Sequence, residues 1–502
     1  MRRWWALGAL ALCLLTLGLD GTILNVALPT LATSLGAGTD GLQWMVDAYI
    51  LVFAGLLIPL GALGDRVGRK RMLIIGLLAF LGASFAAAYV TSTTALIGAR
   101  ALMGLGSAIM TPVAIAVLPV MFSPPERARA VAAVAAAMGL GVPLGPIVGG
   151  YLLDHFWWGS IFLVNVPVAI VALVAVIFLV PESRDRRSRP TDVLGGLLST
   201  TGLTALVYGV IAAPRRGWAD AVVVAAIGAG LALLAGFVAW EGRHPYPMID
   251  LRLFGRPRFL WGTLSATVAG FALFGLLFTL PQYFQAVQGR DALETGLRLL
   301  PLMAGLVVAA AGSDRISAGL GAKIPVTAGL AIIAAGLAMG ATTRLTDPYS
   351  WTAAWLVVVG FGTGLALAPA MDAVLGELPV EQAGSGTALT MTLRQVGAAL
   401  GTALLGSLLA SVYSGQLNLA GLPGPAVQTA RDSVPGAMAV AAQLHSRALA
   451  AQASAAYLHG MNVVLAICAS VAVLAALAVA LALPARSAQP APESSHELSR
   501  VA

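Results

Sequence analysis

Four ionisable residues stand inside long apolar stretches of the sequence: Asp20, Asp47, Arg100 and Arg394. A charge in a lipid-like surrounding costs about 2.5–3.5 kcal/mol on insertion scales, so each asks for a compensating role. A carboxylate in a low-dielectric cavity can take up and release a proton near neutral pH. An arginine stays charged, favouring the ionised carboxylate when close and releasing it when it moves away. An aspartate–arginine pair of this kind couples protonation to a change of shape, and the four residues are candidates for proton coupling or for recognition of a charged substrate. A plainer alternative stands beside three of them. Asp20 or Asp47 could serve only as an interhelical hydrogen-bond partner or face an interface, and Arg394 could neutralise a helix or bridge backbone carbonyls.

Two glycine-punctuated segments carry a second kind of signal. The run Gly61-x-x-x-Asp65-Arg66-x-Gly68-Arg69-Lys70-Arg71 allows a tight turn between two helices. Asp65 can cap a helix or pair with a basic neighbour, forming a latch that opens as the flanking helices move. Topology-setting charge alone would explain the arginines but not the glycine spacing. Further on, Gly139, Gly141, Pro143, Gly145, Pro146, Gly149 and Gly150 share one apolar stretch. Glycines four apart let helices approach closely, and prolines remove backbone hydrogen bonds and permit bending. Gly360, Gly362, Gly364 and Pro369 repeat the theme. No metal-ligand cluster, Walker loop or nucleophile constellation is legible, so the sequence indicates neither an enzyme nor a metal or organic cofactor.

These residues must be positioned by membrane-spanning helices. The chain is 59% hydrophobic and only 10% charged, against about 25% charged residues in soluble domains. The apolar residues fall in blocks of about 20, the length that crosses a hydrocarbon core of ~30 Å. Fourteen such blocks can be placed, near 5–28, 44–63, 72–90, 95–120, 128–153, 161–180 and 193–211, then 221–240, 259–280, 297–311, 324–340, 351–374, 383–409 and 461–483. The block at 297–311 is short and flanked by Arg298 and Asp314. Arg2 and Arg3 before an apolar run imitate a signal peptide, but the run continues through Asp20 to Leu28 without a small-residue cleavage site. Cys13 and Cys468 lie inside apolar blocks and read as buried thiols rather than a disulfide.

The net charge of +7 does not indicate nucleic-acid binding, because the basic residues sit in short loops between apolar blocks. Their bias sets an orientation instead. With the N-terminus inside, the inner loops hold Arg66, Arg69, Lys70, Arg71, Arg127, Arg129, Arg184, Arg186, Arg187, Arg189 and several later arginines, and an even span count puts the C-terminus inside as well. The expected organisation is a first six-helix bundle over 1–180, a basic loop with two extra spans over 181–258, a second six-helix bundle over 259–483, and a disordered cytoplasmic tail over 484–502. A weak internal repeat supports it: Gly312 to Lys323 ends the tenth span as Gly61 to Arg71 ends the second. Two related bundles with a site between them is a common transporter plan. The stretch 410–460, rich in Ala, Gly, Ser and Gln, reads as a long outward loop.

The run at 61–71, the fifth span, and Leu96-Ile-Gly-Ala-Arg100-Ala-Leu-Met-Gly104-Leu-Gly106 with Pro112 resemble three signatures of the major facilitator superfamily. Leu19-Asp20-Gly-Thr-Ile-Leu-Asn25-Val-Ala-Leu-Pro29, Leu42-Gln-Trp44-Met-Val-Asp47-Ala-Tyr49, Trp157 to Pro167, Ile249 to Phe254 and Arg394-Gln-Val-Gly397 are similar to its fourteen-helix drug/proton antiporter branch. The resemblance implies an all-α integral membrane protein of the bacterial cytoplasmic membrane, both termini cytoplasmic, working as a monomer by alternating access. It implies proton-driven export of small amphipathic or cationic molecules, with the proton gradient as energy source. By resemblance Asp20 and Asp47 occupy acidic positions used for proton or cationic-drug recognition, Arg100 modulates them, and Gly141, Gly145, Pro146, Gly149 and Gly150 form the antiporter helix. Two departures stand out: the second-half loop at 312–323 is degenerate, and the second bundle has no secure mid-membrane carboxylate, since Asp372 and Glu377 fall near the inner surface and Asp291 and Glu294 near the outer one. Trp44, Tyr49, Tyr283 and Phe284 could stack on a flat substrate, or the Trp and Tyr among them could anchor at the membrane interface. A lipid or metabolite carrier and a non-transporting membrane sensor remain the alternative functions.

Overall fold

The computed structural model describes residues 2–184, 192–245, 247, 250–375, 383–419 and 422–484. Arg186, Arg187 and Arg189, Ile249, Glu377 and the tail 485–502 lie outside the described residues, as do the side chains of Arg127, Arg129 and Asp314.

With no water to satisfy backbone groups, a chain this apolar must close its hydrogen bonds within each segment. Among the described residues every regular element is indeed a helix. The first group is α1 (Arg2–Ser34), α2 (Thr39–Val67), α3 (Arg69–Tyr89), α4 (Thr93–Met121), α5 (Pro124–His155), and a single turn α6 (Ser160–Leu163) continued by α7 (Asn165–Leu179). Then come α8 (Val193–Arg216) and α9 (Ala221–Glu241). The last group is α10 (Pro257–Gln282), α11 (Ala292–Arg298) joined to α12 (Leu300–Leu320), α13 (Lys323–Gly340), α14 (Tyr349–Leu375), α15 (Ala383–Gln416), the short α16 (Gly424–Asp432) and α17 (Val434–Gln443), and α18 (Arg447–Ala482). Among the described residues fourteen helices are long and apolar enough to cross a membrane, as the apolar blocks imply.

Several helices start on side-chain caps, which satisfy backbone donors left free at their first turns. Ser92 Oγ accepts from Ala95 N at 3.2 Å, Asp220 from Val222 N at 2.9 Å and Ser446 Oγ from Leu449 N at 3.2 Å. At the second junction Gly68 takes φ +127°, and at the corresponding second-half junction Gly321 takes φ +73°. Each junction turns on a glycine in a conformation that L side chains rarely adopt.

One apolar core gathers residues from α1 through α8, and a second gathers α10 through α18. Val26 joins the second core, while Phe278, Ala398, Ala399 and Ala403 join the first, and the seam between bundles runs along α1, α2 and α5 on one side and α10, α11 and α15 on the other. Helix α8 packs on α9, α2 and α15. Large apolar side chains left outside these cores, such as Phe178 at 79% and Leu481 at 86% exposed, face what must be lipid tails.

Two expectations are corrected. The stretch 410–460 is not a long loop: α15 runs on to Gln416, α16 and α17 follow, and α18 begins at Arg447. Alanine-rich sequence has modest hydropathy but the best helix propensity, so hydropathy alone understates it. The tenth span is likewise longer than 297–311, reaching back to Ala292. Arg298 fits inside it because Glu294 accepts from it at 2.7 Å, Gln288 Oε1 at 2.9 Å, and its guanidinium lies 4.6 Å from the Tyr349 ring centroid.

Candidate functional site

Helices α1, α2, α4 and α7 converge on one buried polar cluster. Asp20 and Arg100, 0% and 2% exposed, form an ion pair with Arg100 Nη1 2.7 Å from Asp20 Oδ2. Asn165 Nδ2 donates to the other carboxylate oxygen at 3.0 Å. The guanidinium is held on two further sides: its Nε donates to Met45 O at 3.1 Å, and it lies 4.4 Å over the Tyr49 ring. Tyr49 in turn donates to Ser107 Oγ at 2.9 Å. Such a pair survives burial because each carboxylate oxygen accepts a hydrogen bond and the guanidinium is held by the carboxylate, a backbone carbonyl and a ring face. The sequence placed Asp20 and Arg100 in separate spans, and the fold brings them into contact.

Asp47 is 0% exposed, and neither of its carboxylate oxygens has a hydrogen-bond partner among the described residues. One turn earlier on α2, Gln43 Nε2 donates to Thr402 O at 3.0 Å and to Ala403 O at 2.9 Å on α15. Residues four apart share a helix face, which puts Asp47 on the side of α2 turned toward the second bundle. Arg394 does not join this group. It is half-buried on α15 and packs against α10, where a Cβ on Gly270 would meet Arg394 Cγ at 3.1 Å. It forms no ion pair with Asp20 or Asp47 among the described residues.

The fifth span supports the cluster from behind. Gly141, Gly145 and Gly149 lie along α1: a Cβ on Gly141 would come within 2.6 Å of Leu19 N, on Gly145 within 2.9 Å of Ile23 N, and on Gly149 within 2.7 Å of Ile23 Cγ1. Thr22 Oγ1 donates across to Val142 O at 2.9 Å. The helix that carries Asp20 is thus seated on backbone. Gly150 and Pro146 face elsewhere, toward α11: a Cβ on Gly150 would reach Leu293 Cα at 2.6 Å, and the Pro146 carbonyl lies against Gly296.

At the other end of α2, Arg69 Nη2 lies 2.8 Å from Asp65 Oδ1. Gly61 approaches Pro112 of α4, with 3.0 Å left for a Cβ, and Arg66 is exposed. Glu182, just past α7, completes the turn by accepting from Lys70 N at 3.2 Å, with its carboxylate against Gly68. The sequence expectation of an Asp65-centred pair matches this geometry, but Glu182 was not foreseen. Nothing in its local sequence separates it from an ordinary polar residue after a span. Asn165, Met45 and Gln43 were missed as well: Asn165 and Gln43 are neutral, and Met45 contributes only its backbone carbonyl.

Three of the four aromatic residues are closed off. Tyr49, Tyr283 and Phe284 are 4%, 1% and 0% exposed, so none is free to stack on a ligand here. Tyr49 stacks on Arg100, and Phe284 lies 5.8 Å from the Arg298 guanidinium. Trp44, half-buried, lies 6.3 Å from Tyr208 of α8.

The family described as Major Facilitator Superfamily matches residues 10–402. The multidrug efflux pump LfrA of Mycolicibacterium smegmatis is 36% identical over 88% of each chain. The tetracenomycin C resistance and export protein of Streptomyces glaucescens is 32% identical over 98% of this chain and 94% of its own. The methyl viologen resistance protein SmvA of Salmonella typhimurium is 32% identical over 94% of this chain and 97% of its own. Among solved structures, a bacterial homologue of the human lysosomal transporter Spinster, in an inward-facing and unoccupied conformation, superposes with a TM-score of 0.69 at 17% identity, covering 96% of this chain and 97% of that one. With fourteen helices among its described residues long and apolar enough to cross a membrane, and this match along most of its length, the chain is a multi-pass membrane protein belonging to the Major Facilitator Superfamily.

Proposed function

We propose that this protein exports small amphipathic, mainly cationic drugs or antibiotics across the bacterial cytoplasmic membrane in exchange for protons, as a monomer and with the proton gradient as its energy source. The observation that carries this reading is the fully buried Asp20–Arg100 pair. Protonation of Asp20 removes the counter-charge from a buried guanidinium, and a buried charge left alone is costly by about 3–5 kcal/mol. Proton uptake and a rearrangement of α1 against α4 are therefore one event. Asp47, ionisable and without a hydrogen-bond partner among the described residues, is the complementary group: a cationic substrate or a proton satisfies it, and the two compete. The names of the relatives, which include efflux and resistance proteins, support the substrate class.

The basic loop Asp65 to Arg71 and both termini face the cytoplasm in this reading, by the bias of arginine toward one side. The same relatives favour efflux over the carrier and sensor alternatives.

Inverted vesicles energised with a proton gradient and challenged with cationic dyes and antibiotics test the proposal. Substrate-induced collapse of the gradient, absent in Asp20→Asn, is the expected result. Normal export by Asp20→Asn protein would sink the role given to Asp20, and no gradient response to any compound would sink antiport.

A further inference from the structure

Among the described residues, several polar bonds join the two bundles at the face opposite the Asp65 to Arg71 loop. Gln43 reaches α15, Gln285 Nε2 donates to Val26 O at 2.7 Å, and Thr39 Oγ1 donates to Asp432 O at 2.8 Å. These three join neutral side chains to backbone carbonyls. Asp154, at the end of α5, is different. Its Oδ1 accepts from Ala292 N at 3.2 Å and its Oδ2 from Leu293 N at 2.9 Å, so a carboxylate of the first bundle holds two backbone donors at the start of α11 in the second.

A helix start leaves its first backbone N–H groups without intrahelical acceptors. Here Glu294 N is capped from within the same turn by Asp291 at 2.6 Å, while Ala292 N and Leu293 N are capped only across the seam. The close approach that permits this is made by two glycines, Gly150 against Ala292 and Leu293, and Gly296 against the Pro146 carbonyl. Arg290 and Arg298 of the second bundle are paired with Glu294, at 3.4 Å and 2.7 Å, and the neighbouring His155 ring stays on its own helix, 2.9 Å from Tyr151 O. The carboxylate of Asp154 therefore spends its charge on α11 rather than on a local cation. Toward the basic face, Met391 and Leu393 of α15 pack in the same small apolar clusters as Leu57 and Ile58 of α2.

We propose that Asp154 is the releasable clasp of this face: its carboxylate, by capping α11 from the opposite bundle, sets how much of the protein is closed there. Asp154 is exposed at the rim, so the bond can pass to water as the bundles part without leaving a buried charge. This positioning role in the transport cycle rests on the export reading above, but the clasp itself does not, and it is measured without substrate.

The test uses full-length protein in nanodiscs, with Cys13 and Cys468 replaced by alanine and spin labels on T91C and L345C, exposed positions of the two bundles at this face. Pulsed electron-spin distances should show a dominant short population in the otherwise native protein. Asp154→Asn, nearly isosteric, should lower the short-to-long ratio by roughly tenfold, the scale of one charge-assisted hydrogen bond. Asp154→Glu should restore part of it. Gly150→Ala should open the face independently, by forcing α5 from α11. Unchanged distances in Asp154→Asn overturn the proposal, whatever Gly150→Ala does. A change in export by Asp154→Asn with unchanged distances overturns it too, leaving the export reading intact.

Discussion

At the scale of single residues, the polar cluster shows how three weak-looking partners hold one expensive charge. Arg100 uses a different part of its guanidinium for each: Nη1 on Asp20, Nε on Met45 O, and the flat face on Tyr49. Lysine, a compact point charge, cannot make all three. Arg100→Lys is expected to lose at least tenfold in export while the protein still inserts, and Arg100→Ala to lower stability by about 3–5 kcal/mol because Asp20 is left buried without its counter-ion. Thermal unfolding of the detergent-purified variants distinguishes the two, and equal melting temperatures for Arg100→Ala and the native protein would contradict the reading. Asp20 and Arg100 were visible in the sequence because charges in apolar stretches are conspicuous. Asn165 was not, since a neutral amide near the end of an apolar run carries no such contrast.

At the scale of the helix, α5 illustrates glycine used for approach rather than for turning. Along Gly141, Gly145 and Gly149 there is no room for a Cβ against α1, and helix packing in lipid depends on such van der Waals contact between backbones. Gly145→Ala would collide with Thr22 Oγ1 and crowd Ile23 N. It should displace α1, destabilise the protein by about 1–3 kcal/mol and impair export more than Gly139→Ala, whose Cβ would meet nothing within 4 Å. Parallel melting and export assays check the ranking. A different element, α16, bears on pH. Partial burial, and then Asp40, pushes the Asp432 carboxyl above its ordinary 3.8, against the opposing pull of Arg215, Arg431 and Gln428. A carboxyl raised in the folded state binds its proton more tightly there, so its contribution is favourable below the unfolded value and is lost as pH rises through the folded one. Asp432→Asn should therefore be slightly stabilising at pH 7 and indistinguishable from the native protein near pH 3, as read by melting temperature at both pH values.

At the scale of the whole molecule, the two cores and their seam define two faces, one with the basic loop and one closed by polar bonds. If arginine bias sets the orientation, a thiol reagent that cannot cross the membrane should label R66C in inverted vesicles and T91C in right-side-out cells. The opposite pattern would reverse the orientation and with it the direction assigned to export. Both positions are exposed, so failure to label either side is not expected. The linker helices α8 and α9 belong to this scale too. Arg215 of α8 pairs with Asp40 of α2 at 3.0 Å, and Ser407 of α15 donates to Val210 O of α8 at 2.9 Å, so α8 touches both sides of the seam.

Local composition by itself determined that this chain lives in lipid, how many times it crosses, and which few residues are too polar for their surroundings. Each of these follows from one segment at a time: about 20 apolar residues span a bilayer wherever they stand, and an aspartate among leucines is anomalous whatever lies opposite. Local composition could not determine which charge answers which. Among the described residues Asp20 meets Arg100 and not Arg394, Asp47 meets no hydrogen-bond partner, and Asp154 and Glu182 cap helices far away in the chain. Those outcomes depend on how helices rotate about their axes and how closely their glycines let them approach, and only the packed bundle sets both.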